Sequence, residues 1–239
     1  ALCASVPMDV PNAIDVVATP PDVTAVLLDL DGTLAPIVEM PDDVRILPAI
    51  RAILPTIRGR YGLVAFVSGR ALNELRRIVD LEGVAYSGNH GIEVQLPSGR
   101  ILPEAAPHAA RVRLGAFASS WADAELRRVG LRLENKGATL TCHYCTARDR
   151  DAAERFLAER IVPAATAMDL AAEPGRMSVE IHPSGRVDKG TAANALLDAH
   201  PTIRRVVSIG DDRTDVRVWR AMRRRLDEGR LDLSVAVGV

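Results

Sequence analysis

Short apolar runs alternate with helical periodicity along most of the chain. Residues 25–28 form a continuous apolar stretch, the pattern of a strand buried on both faces of a parallel sheet, and 62–67, 84–86 and 206–209 repeat it. Between them, Ile46, Ile50, Ile53, Leu54 and Ile57 recur at helical spacing and predict a helix over 42–58, interrupted only by Pro48 and Pro55. Leu72, Leu75, Ile78 and Val79 share one face of a second helix, and Ala192, Ala195, Leu196 and Ala199 one face of a later one. Strands and helices in alternation predict an α/β domain around a parallel sheet.

From 97 to 183 the pattern changes. Leu114, Phe117, Ala118 and Trp121 make one apolar helix stripe, and Phe156, Leu157, Ile161, Ala164 and Met168 another. The segments between and after them alternate residue by residue. Leu131 and Leu133 alternate with Arg132 and Glu134, Leu140, Cys142 and Tyr144 with Thr139, Thr141 and His143, and Met177, Val179 and Ile181 with Ser178, Glu180 and His182. This reads as helix-strand-strand-helix-strand-strand, with the apolar sheet face on two helices and a polar face opposite. Such a face is commonly just solvated, but here the unit is inserted between core elements, so its polar face could close over a site as a lid. The expected division is a linker at 1–20, a core of 21–96 and 184–239, and an inserted unit of 97–183.

At 239 residues and 48% apolar the chain can bury a sizeable core. A net charge of -1 with both signs mixed gives no electrostatic footprint for nucleic acid, and no apolar run reaches the roughly 20 residues of a membrane span. Cys142 and Cys145 are three apart in what reads as a strand, where they face opposite ways, so neither a metal site nor a redox pair is expected. The proline-bearing first 20 residues carry no secretion pattern, which predicts a cytoplasmic protein. A first residue other than Met suggests domains joined to a longer chain. Of 30 basic residues only Lys136 and Lys189 are lysine, which marks two places where a compact ammonium is wanted.

The chemistry gathers where the buried strands end. Asp29 and Asp31 follow the first strand, and the period of two sends both to one side before Gly32 turns the backbone away. An Asp-Gly turn alone is ordinary. The second strand ends in Ser68-Gly69-Arg70, where the serine could simply cap the next helix, and the third in Ser87-Gly88-Asn89-His90-Gly91, where His90 could be a plain loop histidine. Lys189, in Asp188-Lys189-Gly190, opens a helix whose dipole gives a lysine no stabilisation there, so phosphate charge is a better reason for it. Gly210-Asp211-Asp212-Arg213-Thr214-Asp215 follows the fourth strand, and three carboxylates that close call for a cation with oxygen ligands, such as Mg²⁺. Arg220, Arg223 and Arg224 read as a solvated helix face.

Asp-x-Asp-Gly-Thr after an apolar strand resembles the nucleophile motif of the haloacid dehalogenase (HAD) superfamily of phosphotransferases. Ser68, Lys189 and the Asp211/Asp212/Asp215 cluster match its other motifs in order. More narrowly, Ser68-Gly69-Arg70, Gly88-Asn89-His90-Gly91, Glu134-Asn135-Lys136-Gly137, His143-Tyr144, Val179-Glu180-Ile181 and Asp188-Lys189-Gly190 are similar to the trehalose-6-phosphate phosphatases. The resemblance implies a HAD-like Rossmannoid parallel-sheet core with an inserted small α+β cap, and further elements after Val239. It implies Asp29 as nucleophile, Asp31 as general acid and base, Ser68 and Lys189 as partners of the phosphoryl oxygens, and Mg²⁺ held by Asp29, the Asp31 carbonyl and Asp211, with Asp212 and Asp215 supporting. Arg70, Asn89, His90, Glu134, Lys136 and Glu180 would bind the substrate, a small sugar phosphate. One position departs: Val216 stands where the family usually has Glu, which puts the support of the metal site in question. Two other readings stay open, a different capped sugar phosphatase of the superfamily and a non-catalytic domain of a larger trehalose-metabolism protein.

Overall fold

The structure, a computed structural model, describes residues 20–38, 41–102, 108–175, 177–184 and 187–239. The expected linker, but for residue 20, lies outside them.

The central strand β1 (Thr24–Leu28) is buried at all five positions because both of its faces are covered. Ala25 and Leu27 face one cluster, with Ala192, Leu196, Val218 and Met222, and Val26 and Leu28 face another, with Leu54, Leu72, Leu75 and Phe66. A strand packed on two sides has no polar face to write, hence the continuous apolar run. β1 is flanked by β2 (Leu63–Val67) and β9 (Arg205–Gly210), both parallel to it, with Val26 in register with Val64 and Val207. With β3 (Ala85–Gly88), β4 (Glu93–Gln95) and β10 (Leu233–Gly238) they form a six-stranded sheet of order β10-β9-β1-β2-β3-β4, in which only β4 runs antiparallel.

The helices α1 (Pro48–Arg60) and α2 (Leu72–Val79) cover the Val26 face, and α7 (Lys189–Asp198) and α8 (Asp215–Asp227) the other. One expectation and one alternative need correction here. The first helix starts at Pro48 and not near residue 42, because a residue before proline is driven out of the helical region and Leu47 is extended. Val44 and Ile46 still join the core, from an irregular segment. Ser68 is no helix cap either, since α2 begins four residues later with Ala71 in the cap position. Arg220, Arg223 and Arg224 lie exposed on α8 as expected.

The insertion is a separate layer. Its helices α3 (His108–Ser119), α4 (Asp123–Arg128), α5 (Arg150–Phe156) and α6 (Val162–Ala167) pack on a four-stranded antiparallel sheet. A π-helical turn at Leu157–Ile161 joins α5 to α6. That sheet consists of β5 (Arg132–Asn135), β6 (Leu140–His143), β7 (Leu170–Gly175) and β8 (Ser178–Pro183), in the order β5-β6-β8-β7. The short α4 adds a helix that the periodicity did not predict. Leu140, Cys142 and Ile181 are at most 1% exposed under the helices, and Trp121, just past α3, packs edge-on to Phe156 at 6.0 Å. Burial pushes the Cys142 thiol up to about 12, and Cys142 and Cys145 are both free. Among the described residues no helix is long and apolar enough to cross a membrane. The architecture is thus the α/β core plus small antiparallel cap that the sequence predicts.

Candidate active site

Asp29 continues the side-chain alternation of β1 and so points toward α7 and α8, whose first residues are Lys189 and Asp215. The Lys189 ammonium, 2% exposed, donates to Asp29 Oδ1 at 2.8 Å and to Asp215 Oδ1 at 2.9 Å. Burial pushes the Asp29 carboxyl up, to about 7, against the pull of Lys189, and burial raises Asp215 too. Burial also works against the ammonium, but the charges of Asp29, Asp215 and Asp212 overturn that and raise Lys189. Both shifts are upward, against the charged carboxylate but in favour of the charged ammonium, and they have a single cause: one cation serves two buried acids, and negative charge is left over.

That surplus bears on a metal. Carboxylate oxygens of Asp29, Asp211 and Asp215 all lie within 4.8 Å of one another. Asp211 Oδ1 is buried with no hydrogen-bond partner, a costly state for a carboxylate oxygen unless a cation supplies the missing contact. Gly32, at φ 86°, admits this approach, since a Cβ there would fall 2.1 Å from Asp211 Oδ2. An all-oxygen donor set of this charge fits Mg²⁺. The remaining Asp215 oxygen accepts from the Asp211 and Asp212 backbone N–H groups at 3.1 and 3.2 Å, and Asp212 accepts from Thr214, so these two acids shape the loop that presents Asp211.

On the other side of β1 stand the loops after β2 and β3. They are tied by backbone hydrogen bonds from Asn89 to the Arg70 carbonyl (2.7 Å) and from His90 to the Ser68 carbonyl (3.1 Å). Asn89 and His90 adopt positive φ, 48° and 53°, and Gly69 leaves room for the His90 ring, which a Cβ would meet at 2.4 Å. Arg70 donates two hydrogen bonds to Asp31, Nε to Oδ2 at 2.7 Å and Nη2 to Oδ1 at 2.9 Å. Arg70, proposed by resemblance for substrate, is therefore engaged with the neighbouring acid. Ser68 is 1% exposed and lines the same cavity.

The cap closes this cavity, of about 670 Å³, with its polar sheet face. Strand register puts Glu134, Thr141, Glu180 and Glu173 in one row across the four strands. Each glutamate in the row has a cationic or imidazole partner. Glu134 Oε2 lies 2.6 Å from His143 Nε2, Glu180 Oε2 lies 2.5 Å from His90 Nε2 of the core, and Glu173 takes Arg217 of α8 at 2.9 Å. Burial works against the Glu180 carboxylate, but His90 and Lys136 outweigh it and hold its pKa below the usual range. Lys136 Nζ stands 4.0 Å from Glu180 Oε1 and 3.5 Å from the Gly69 carbonyl. The β5–β6 turn is anchored to the core, with Thr139 donating to Asn89 Oδ1 at 3.2 Å and Ala138 packed against Ile92 and Val187.

Of the residues nominated from sequence, Asp29, Asp31, Ser68, Arg70, Asn89, His90, Glu134, Lys136, Glu180, Lys189 and Asp212 all border this cavity, and Asp211 and Asp215 stand beside it with Asp29. Sequence reasoning missed Thr141, His143, Glu173, Arg217 and Glu74 on the same walls. Thr141 and His143 share the parity of the polar alternation in β6 and were within its reach. Glu74 and Arg217 sit on helices whose local pattern says only that they are polar.

The chain matches the family model described as trehalose-phosphatase over residues 27–237. A probable trehalose-phosphate phosphatase of Sinorhizobium fredii is 35% identical over 205 residues, 84% of this chain and 74% of that protein. A trehalose-phosphate phosphatase of Mycobacterium ulcerans is 32% identical over 216 residues, 87% of this chain but 54% of its own length. An uncharacterized glycosyl hydrolase of Mycobacterium tuberculosis is 32% identical over 205 residues, where the match spans only 15% of the longer protein. The crystal structure of a trehalose-6-phosphate phosphatase related protein superposes with a TM-score of 0.70 at 24% identity, over 90% of this chain and 86% of the other. The C-terminal domain of a Candida albicans trehalose synthase regulatory protein does so with 0.72 at 14% identity, over 95% and 88%. These two likenesses are of fold.

Proposed function

This chain belongs to the trehalose-phosphatase family, and on that premise we propose that it is a Mg²⁺-dependent phosphatase releasing phosphate from trehalose 6-phosphate. The observation that carries the reading is the buried Asp29 carboxylate, its side chain 6% exposed, opening into the same cavity as Glu134, Lys136 and Glu180 of the cap. A nucleophile and a polar surface suited to sugar hydroxyls then face each other across a space of the size small-molecule sites have.

In the proposed reaction an Asp29 oxygen bonds to phosphorus while the bond from phosphorus to the sugar oxygen breaks, and Asp31 gives that oxygen its proton. Water, losing a proton to Asp31, then opens the acyl phosphate and restores Asp29. Lys189 and Ser68 take up charge on the phosphoryl oxygens. Mg²⁺ held by Asp29, Asp211 and the Asp31 carbonyl would neutralise charge on nucleophile and phosphate. Asp212 and Asp215 hold the loop of Asp211, and Val216 takes no part in those hydrogen bonds. Arg70, Asn89 and His90 line the floor of the sugar site, and Glu134, Lys136 and Glu180 its roof. A cytoplasmic setting goes with a phosphorylated sugar substrate.

Phosphate release from trehalose 6-phosphate, sucrose 6-phosphate and glucose 6-phosphate, each with and without Mg²⁺, tests this. Preference for the first supports the proposal, and preference for another ester points to a different capped phosphatase. No release from any of them would favour a non-catalytic domain.

A further inference from the structure

We propose that Glu74 is a positioning residue for the proton transfer, acting on Asp31 through Arg70; the proposal rests on the phosphatase reading above. Asp31 follows β1 in a turn, with its side chain 34% exposed, and Arg70 takes both of its oxygens. Two parallel hydrogen bonds from one planar guanidinium set the carboxylate's plane as well as its distance, which a single bond does not. A general acid must reach one departing oxygen, so that plane matters to the rate.

Arg70 itself lies in the loop between β2 and α2, and its side chain is 12% exposed. Two of its three nitrogens are spent on Asp31, and the third, Nη1, pairs with Glu74. Glu74 is in the first turn of α2, a helix pinned to the sheet by Leu72, Leu75, Ile78 and Val79. The chain Glu74–Arg70–Asp31 thus ties a carboxylate in a turn to a packed helix that borders the same cavity. A glutamate in the first turn also favours the helix dipole. That simpler role makes a different prediction.

The test compares kcat/KM for trehalose 6-phosphate and p-nitrophenyl phosphate in the wild type, Glu74→Gln and Glu74→Ala. kcat/KM reports only steps through departure of the first product. A sugar alkoxide needs a proton to leave and a nitrophenolate does not. We expect Glu74→Ala to lose about tenfold or more on the sugar ester and at least severalfold less on the aryl ester. Glu74→Gln keeps an acceptor oxygen for Nη1 and should fall between wild type and Ala. Equal losses on both substrates, or a fall in melting temperature alone, would overturn the proposal and leave Glu74 a helix residue. A crystal structure of either variant reads the geometry without turnover: displaced Asp31 and Arg70 side chains support the proposal, and an unmoved pair refutes it. A wild type inactive on every ester would sink the phosphatase reading, while the crystallographic comparison would still decide whether Glu74 holds Arg70 and Asp31.

Discussion

The Lys189 ammonium stands 2.8 Å from the Asp29 carboxylate, with their side chains 2% and 6% exposed. Asp215, on the other side of the ammonium at 2.9 Å, makes the group a buried trio with two acids and one base.

The two ends of that pair are therefore not equivalent in stability. Lys189→Met leaves two buried carboxylates with no cation and should cost about 3–5 kcal/mol, whereas Asp29→Asn leaves the Lys189–Asp215 pair and removes repulsion, so its cost should be about zero or negative. Turnover should fall below about 1% in both, through loss of the charge partner in one and of the nucleophile in the other. Urea unfolding and phosphate release measure the two effects, and equal destabilisation would contradict the trio.

The proposed metal dependence is supported by the unpartnered Asp211 oxygen. Chelation should stop turnover and Mg²⁺ restore it, while Ca²⁺, larger and less strict in geometry, should bind without supporting the reaction. Binding should also raise the melting temperature, and Asp211→Asn should abolish that rise. Full activity in excess chelator would remove the metal from the account.

Three cap residues separate recognition from chemistry. If Glu134, Lys136 and Glu180 read sugar hydroxyls, each change to Ala should cost roughly 1–3 kcal/mol, about 5-fold to 150-fold in kcat/KM for trehalose 6-phosphate. An aryl phosphate presents no sugar and should suffer far less. Losses shared equally by both substrates would assign these residues to lid closure, because Glu180 also bonds His90 of the core.

The Glu134–His143 contact makes a pH-dependent contribution to folding. Its hydrogen bond to His143 holds the Glu134 carboxyl below its ordinary pKa of 4.5, so the unfolded chain takes up that proton more readily. The stabilisation is accordingly present in full above about pH 4.5 and is lost as pH falls through the folded value. With the side chain 26% exposed, Glu134→Gln should cost about 1 kcal/mol near pH 7 and converge on wild type once the pH has fallen through the lowered pKa of Glu134. Denaturant unfolding across that range checks it, and a gap independent of pH would assign the loss to something other than this carboxylate.

The amino-acid sequence by itself determined the strand order's raw material and the chemistry at the strand ends. Short continuous apolar runs bounded by turn residues read as strands covered on both faces, and Asp29, Ser68 and Asp211 just after them, with Lys189 at a helix start, are placed by backbone periodicity, a local property. Local rules also explain the misplaced helix start, because Pro48 speaks for a helix beginning as clearly as Ile46 speaks for a longer one. Only the tertiary structure decided what the acids and bases touch. That Arg70 turns to Asp31, that Asp215 shares Lys189 with Asp29, and that the Glu134–Thr141 hairpin lines up with the Glu173–Glu180 hairpin depends on contacts between residues tens of positions apart. Side-chain polarity records that such a group needs a partner, and the fold supplies which one, because charge and hydrogen-bonding capacity are satisfied through space and not along the chain.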